Sequence, residues 1–164
     1  ILEALAAKAY APKTLRQLIS AVPSMTYHDV EQAINVLIGM HAVAPCQSEA
    51  AEKLVQARCS TLNLQLCKRS LFANKIQVLS SPVTGGGVPV SRFQQLFLIA
   101  VMQGKKLPSE WAQFAWDIIG GQGEGILKGD RALTTAEENI AELKEQAVGF
   151  AEKSMVVLKA LRVV

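Results

Sequence analysis

The sequence predicts a mainly α protein: a winged-helix-like N-terminal part followed by a helical bundle with one short β-hairpin. Three observations predict it. Half of the 164 residues are apolar but only 5% are aromatic, and a core of Ala, Leu, Val and Ile favours closely packed helices. Apolar positions recur at three-four spacing through most of the chain. The only clear β signal is Ile76–Leu79 and Val88–Val90, on either side of Gly85-Gly86-Gly87.

The elements follow in order. Residues 1–10 read as helix until Pro12, and Leu15, Leu18 and Ile19 mark a short second helix that Pro23 ends. Thr26 is an N-cap with Asp29 in the first turn, opening a third helix on Val30, Ala33, Ile34, Leu37 and Ile38. Val43-Ala44-Pro45 reads as extended. Helix, short helix, longer helix and strand outline a winged-helix unit over 1–47. Residues 48–164 make the helical part, with the hairpin near 76–90. Its first helix, 48–73, carries the stripe Val55, Cys59, Leu62 and Leu66, with Leu54 beside it. Ser91 caps a helix with the face Phe93, Leu96, Phe97 and Ala100. Pro108 or Ser109 starts the next, on Trp111, Phe114, Ala115 and Ile118. After the loop Gly120–Gly125, Thr134-Thr135-Ala136-Glu137-Glu138 offers two overlapping capping boxes. The last helix follows Ile140, Leu143, Ala147, Phe150, Ser154, Val157 and Leu161, with Gly149 and Ser154 as points where it bends or splits.

Composition narrows the function. The net charge of +3 is far below that of a dedicated nucleic-acid binder. The third helix, which would read DNA in a winged-helix protein, offers His28, Asp29, Glu31, Gln32 and Asn35 and no cation, so nucleic acid is not an expected partner. The surplus of positive charge lies in the middle of the chain, through Lys53, Arg58, Lys68, Arg69, Lys75, Arg92, Lys105, Lys106 and Lys128. No apolar run approaches the roughly 20 residues of a membrane span. Three cysteines at 46, 59 and 67 match no metal spacing and read as reduced core thiols of a cytoplasmic protein. Ile1 stands inside a helical pattern, so the chain reads as part of a larger gene product.

No catalytic constellation emerges. Gly85-Gly86-Gly87 lacks the Gly-Lys-Ser/Thr of a phosphate loop, and a hairpin turn explains it. The glycines from 120 to 125 read as a flexible linker or helix cap. His28 and His41 have no triad or metal partners, and Glu137 and Glu138 belong to the first turn of a helix. The residues retained as interface or substrate contacts are Gly85, Gly86, Gly87, Arg92 at a helix start beside them, and Trp116, which falls off its helix's apolar stripe. Catalytic, cofactor-binding and metal residues are expected to be none.

Ser81-Pro82-Val83-Thr84-Gly85-Gly86-Gly87-Val88-Pro89-Val90-Ser91-Arg92-Phe93 resembles a block of the bacterial methyltransferase regulatory domain family. Glu110–Trp116 and Thr135–Asn139 resemble two further blocks, in the same order and spacing. The resemblance covers most of the chain. It implies an accessory region of an S-adenosylmethionine-dependent methyltransferase, not itself an enzyme, which modulates activity or substrate recognition. The cofactor would sit in a separate Rossmann-like catalytic domain. The implied partners are that domain and a protein substrate. Apart from the resemblance, the long last helix makes a self-associating domain, a homodimer with residues 134–162 as the interface, a further reading. The alternative function is a non-catalytic winged-helix binding module for nucleic acid or protein.

Overall fold

The computed structural model describes residues 1–164. The protein is mainly helical, with eight α-helices, one π-helical turn and two short antiparallel strand pairs. In chain order the elements are α1 (Leu2–Tyr10), α2 (Leu15–Ala21), α3 (Tyr27–Gly39), α4 (Glu49–Ser70), β1 (Val78–Ser80), β2 (Gly87–Pro89), α5 (Arg92–Met102), α6 (Pro108–Gly121), β3 (Leu127–Lys128), β4 (Arg131–Ala132), α7 (Ala136–Gly149), the π turn (Phe150–Ser154) and α8 (Met155–Ala160). No helix is long and apolar enough to cross a membrane.

Residues 1–47 hold three helices and no strand pair, so the strand expected to complete a winged-helix unit does not form. Val43-Ala44-Pro45 joins no sheet; the chain after it is tied to the hairpin by Gln47 N–H donating to the Val83 carbonyl at 2.7 Å. The helical reading of residues 8–10 is overturned. Lys8, Ala9 and Tyr10 turn left-handed, at φ of 57°, 52° and 62°, a conformation that costs about 1–2 kcal/mol per non-glycine residue. The Lys13 ammonium offsets that strain by donating to the carbonyls of Leu5, Ala7 and Ala11 at 2.7–3.0 Å. Of these 47 residues only Leu18 and Val30 are buried.

The core lies in the remainder. α5 is its axis: Leu96, Phe97, Leu98, Ile99 and Ala100 are all buried, so the helix is covered all round rather than along one stripe. α6 packs on it through Trp111, Ala112, Ala115 and Ile119, and α7 through Leu143 and Ala147. Phe150 sits where these helices meet, 5.7 Å from the Phe97 ring and edge-on to Trp111 at 6.3 Å.

The last helical run breaks between the two expected weak points. The Met155 N–H reaches back five residues to the Phe150 carbonyl, which inserts one extra residue into the turn. The inward stripe therefore steps from Phe150 to Met155 and Leu158, and the expected Ser154 and Val157 rotate away from the core. α4 differs from its apolar stripe as well. Its fully buried positions are Glu52, Asn63, Cys67 and Ser70, while Leu62 is half exposed. The hairpin forms as expected, pairing Val78 with Pro89, Leu79 with Val88 and Ser80 with Gly87. A second, two-residue pair at β3–β4 was not anticipated.

Capping follows the sequence closely. Thr14, Thr26, Ser91 and Thr135 each cap a helix through the side-chain oxygen. Glu138 completes the Thr135 box and also accepts from the Thr134 N–H, and it pairs with Arg131. These backbone N–H donors hold the Glu138 carboxyl below its ordinary range, and Arg131 adds to the effect. Glu110 is lowered in the same way by the Leu107 and Lys106 N–H groups, and Asp29 by Thr26. A carboxyl depressed in the folded state stabilises the fold above its unfolded pKa, and that contribution disappears as the pH falls through the folded value. The melting temperature is expected to hold steady from pH 8 to 6 and to fall once the pH passes below about 4. Glu138→Gln should flatten that fall, as read by thermal melts across the acid range.

Candidate functional site

The five residues singled out in the sequence occupy three different settings. Gly85 lies at the tip of the hairpin with φ of 69°, the left-handed region that favours glycine. Its neighbour is the Gln47 side chain. Gly86 gives its carbonyl to the Ser81 N–H at 2.9 Å. Gly87 is in β2, where an added Cβ would fall 2.4 Å from Val78 Cγ1, so the two strands approach more closely than any side chain allows.

Arg92 begins α5 and is only 4% exposed. All three of its guanidinium nitrogens donate. Nε donates to the Ser70 carbonyl at 2.9 Å, Nη1 to Glu124 at 2.6 Å and Nη2 to Gln122 Oε1 at 2.6 Å. Gln122 passes the connection on, its amide donating to the Leu71 carbonyl at 2.6 Å. The segment Gly120–Gly125, expected as a flexible linker or cap, is thus fastened by the guanidinium to the end of α4 and the start of α5. A buried cation needs such a full set of acceptors, because an unpaired charge out of water is heavily penalised.

Trp116 is half buried against the core, its ring packed so close to Gly120 that a Cβ there would meet it at 2.9 Å. Trp111 is a core residue whose Nε1 donates to the Lys105 carbonyl at 2.9 Å. The three settings have separate neighbours: Gln47 and Val78 for the glycines, Ser70, Gln122 and Glu124 for Arg92, and Gly120 for Trp116.

The cysteines divide by burial. Cys67 is in the core, which raises its thiol to about 11; Cys59 accepts from Ser80 Oγ at 3.3 Å; Cys46 is exposed, contrary to the expectation of core thiols throughout. No group of three or more His, Cys, Asp or Glu is arranged to hold a metal ion.

A further exposed surface lies along the outer side of α4, within the stretch where the sequence carries its surplus of positive charge. Leu54 and Phe72, near its two ends, are 79% and 81% exposed. Between them Ala57, Arg58, Thr61, Leu62 and Gln65 line a shallow groove. Arg58, Lys68 and Arg69 take part in none of the protein's ion pairs. The 22-residue helix is about 33 Å long, and this side combines apolar ends with unpaired cations. Leu62 looked like a core residue because its spacing is helical, and Leu54 stood beside the same stripe.

Against known proteins, the chain is 30% identical over 141 residues to the uncharacterized protein sll1526 of Synechocystis sp., a match covering 85% of this chain and 27% of that protein. The chain therefore spans about a quarter of the length of the relative it matches. No family model and no solved structure matches it.

The Arg92 cluster gives a direct test of the fastening. Glu124→Ala is expected to lower the unfolding free energy by about 1–2 kcal/mol, Glu124 being half exposed and partly screened. Arg92→Lys should lower it by more, since one ammonium cannot span acceptors arranged for a planar fork. Urea denaturation at neutral pH reads both.

Proposed function

We propose that this chain is an accessory, regulatory region of an S-adenosylmethionine-dependent methyltransferase, seated on a separate catalytic domain through the outer side of α4. The observation that carries the reading is where the three blocks resembling bacterial methyltransferase regulatory domains fall. They contain the side chains that hold the frame together: Ser81 and Arg92 in the first, Trp111 in the second, Thr135, Glu138 and Asn139 in the third. Four of these, Ser81, Arg92, Trp111 and Asn139, are buried, and a likeness that includes such geometrically demanding residues is a likeness of frame, which supports a shared role as a module.

Two further observations favour a docked module. Of the 19 large apolar side chains left exposed, 12 lie in residues 1–78, so the front half is the half with surface to cover. The Synechocystis relative extends well beyond the matched segment, leaving room for another domain in that protein. On this reading the cofactor belongs to the catalytic domain, the protein works in the cytoplasm, and this region selects or admits the methyl acceptor.

The test uses the whole polypeptide that carries this chain. Leu54→Asp combined with Phe72→Asp changes two exposed residues and leaves the core intact. Labelled methyl transfer to acceptors in cell extract is expected to change in rate by about tenfold or in acceptor range, with S-adenosylmethionine affinity unchanged. A folded double variant with the parent's rate and acceptor range would overturn the proposal.

A further inference from the structure

A half-open groove of about 330 Å³ runs between α4, α5 and α8, and nine of its twelve lining residues are apolar. Its walls are Leu64 from α4, Leu98, Val101 and Met102 from α5, and Met155 from α8, with Cys67 also lining it. The two methionines are flexible and polarisable and adapt to a ligand's shape. Inside, no polar group is free. The Asn63 amide is fully used within the protein, by Ser80 and the Val163 carbonyl, and burial keeps the Cys67 thiol protonated. Polar recognition is confined to two exposed lining residues, Lys159 and Ser60. Lys159 is the only cation in the lining and forms no ion pair.

We propose that this groove binds a medium-chain apolar monoanion, an alkyl carboxylate of about ten carbons, with its tail among Leu98, Val101 and Met155 and its carboxylate on Lys159 and Ser60. The size follows from the volume: at about 30 Å³ for each water-sized group, the groove holds roughly eleven heavy atoms. The single charge follows from the lining, which offers one cation and no other charged side chain. Apolar lining with one or two polar groups that fix orientation is the usual construction of a small-molecule site. Exposed Met102 and Leu64 would be covered by the bound chain. The inference is independent of the methyltransferase reading, since binding is measured on this chain alone.

The experiment is calorimetric titration of the chain with decanoate, below the concentration at which decanoate forms micelles, with decanol as the uncharged comparison. One saturable site is expected, with decanoate about tenfold tighter than decanol. Lys159→Gln should remove that preference and leave decanol binding as it was. Ser60→Trp and, from the opposite wall, Met102→Trp place an indole in the groove from exposed positions and should abolish both. Circular dichroism confirms that each variant is folded. Absence of saturable decanoate binding would overturn the proposal. So would equal affinity for decanoate and decanol, or undiminished binding by both tryptophan variants.

Discussion

The side-chain amide of Asn63 joins three stretches of chain that are far apart in sequence. From the buried side of α4 it donates to the Ser80 carbonyl at 2.8 Å and to the Val163 carbonyl at 3.0 Å, and it accepts from the Ser80 N–H at 2.7 Å. One residue thereby fixes the hairpin edge and the C-terminal tail against the same helix. The tail can reach because α8 ends on a left-handed Arg162, φ 51°, which turns Val163 into the core. Arg162 then closes the clasp from the outside, pairing with Glu52 at 2.5 Å and Gln56 at 3.0 Å on α4. Ser81, fully buried, adds a bond of 2.7 Å to the Leu161 carbonyl.

The other internal fastenings build on that clasp. With the hairpin held, β2 delivers Ser91 and Arg92 to the start of α5, and Arg92 ties the loop after α6 to the end of α4. Asn139 repeats the device at the far side, its carbonyl oxygen accepting from the buried Ile126 N–H at 2.8 Å and so pinning the same loop to α7. Buried polar side chains of this kind are favourable only when every donor and acceptor is matched, and each of these joins backbone groups that no helix or strand would satisfy. The α4–α5–α8 groove lies beside the clasp and shares Asn63 with it, so the residue that closes the fold also leaves the groove without a free polar group inside.

Much of this was legible in the sequence, and the boundary of legibility has a physical meaning. Helix starts at Thr26, Ser91 and Thr135 were readable because capping is local, set by a side chain and an N–H three residues on. The hairpin was readable because Gly85-Gly86-Gly87 permits a backbone path that other residues resist. Apolar periodicity located the helices but misplaced faces where a non-apolar rule prevailed. In α4 the inward position belongs to Asn63, a polar residue chosen for long-range partners at Ser80 and Val163. After Phe150 a single π turn shifts every later residue by one place. The left-handed turn at Lys8–Tyr10 depends on an ammonium several residues downstream. Arg92 was visible as unusual, yet two of its three acceptors, Gln122 and Glu124, lie about 30 residues away in a glycine-rich loop that looked mobile.

The clasp also separates the chain into a dense part and an open one. Residues 49–163 contain nearly all of the buried side chains, whereas α2 and α3 bury one residue each. The exposed apolar surface is thus concentrated in α1–α4, and the internal polar bonds in the part from α4 onward. Asn63 is the residue on which closure of the fold depends most directly. The decisive measurement is the unfolding free energy of Asn63→Ala together with its amide hydrogen exchange. A loss of about 2–4 kcal/mol is predicted, because Ser80 N–H and the Val163 carbonyl are left without partners, and protection should fall jointly in α4, β1 and residues 155–163. Unchanged stability, or a loss of protection confined to α4, would contradict it.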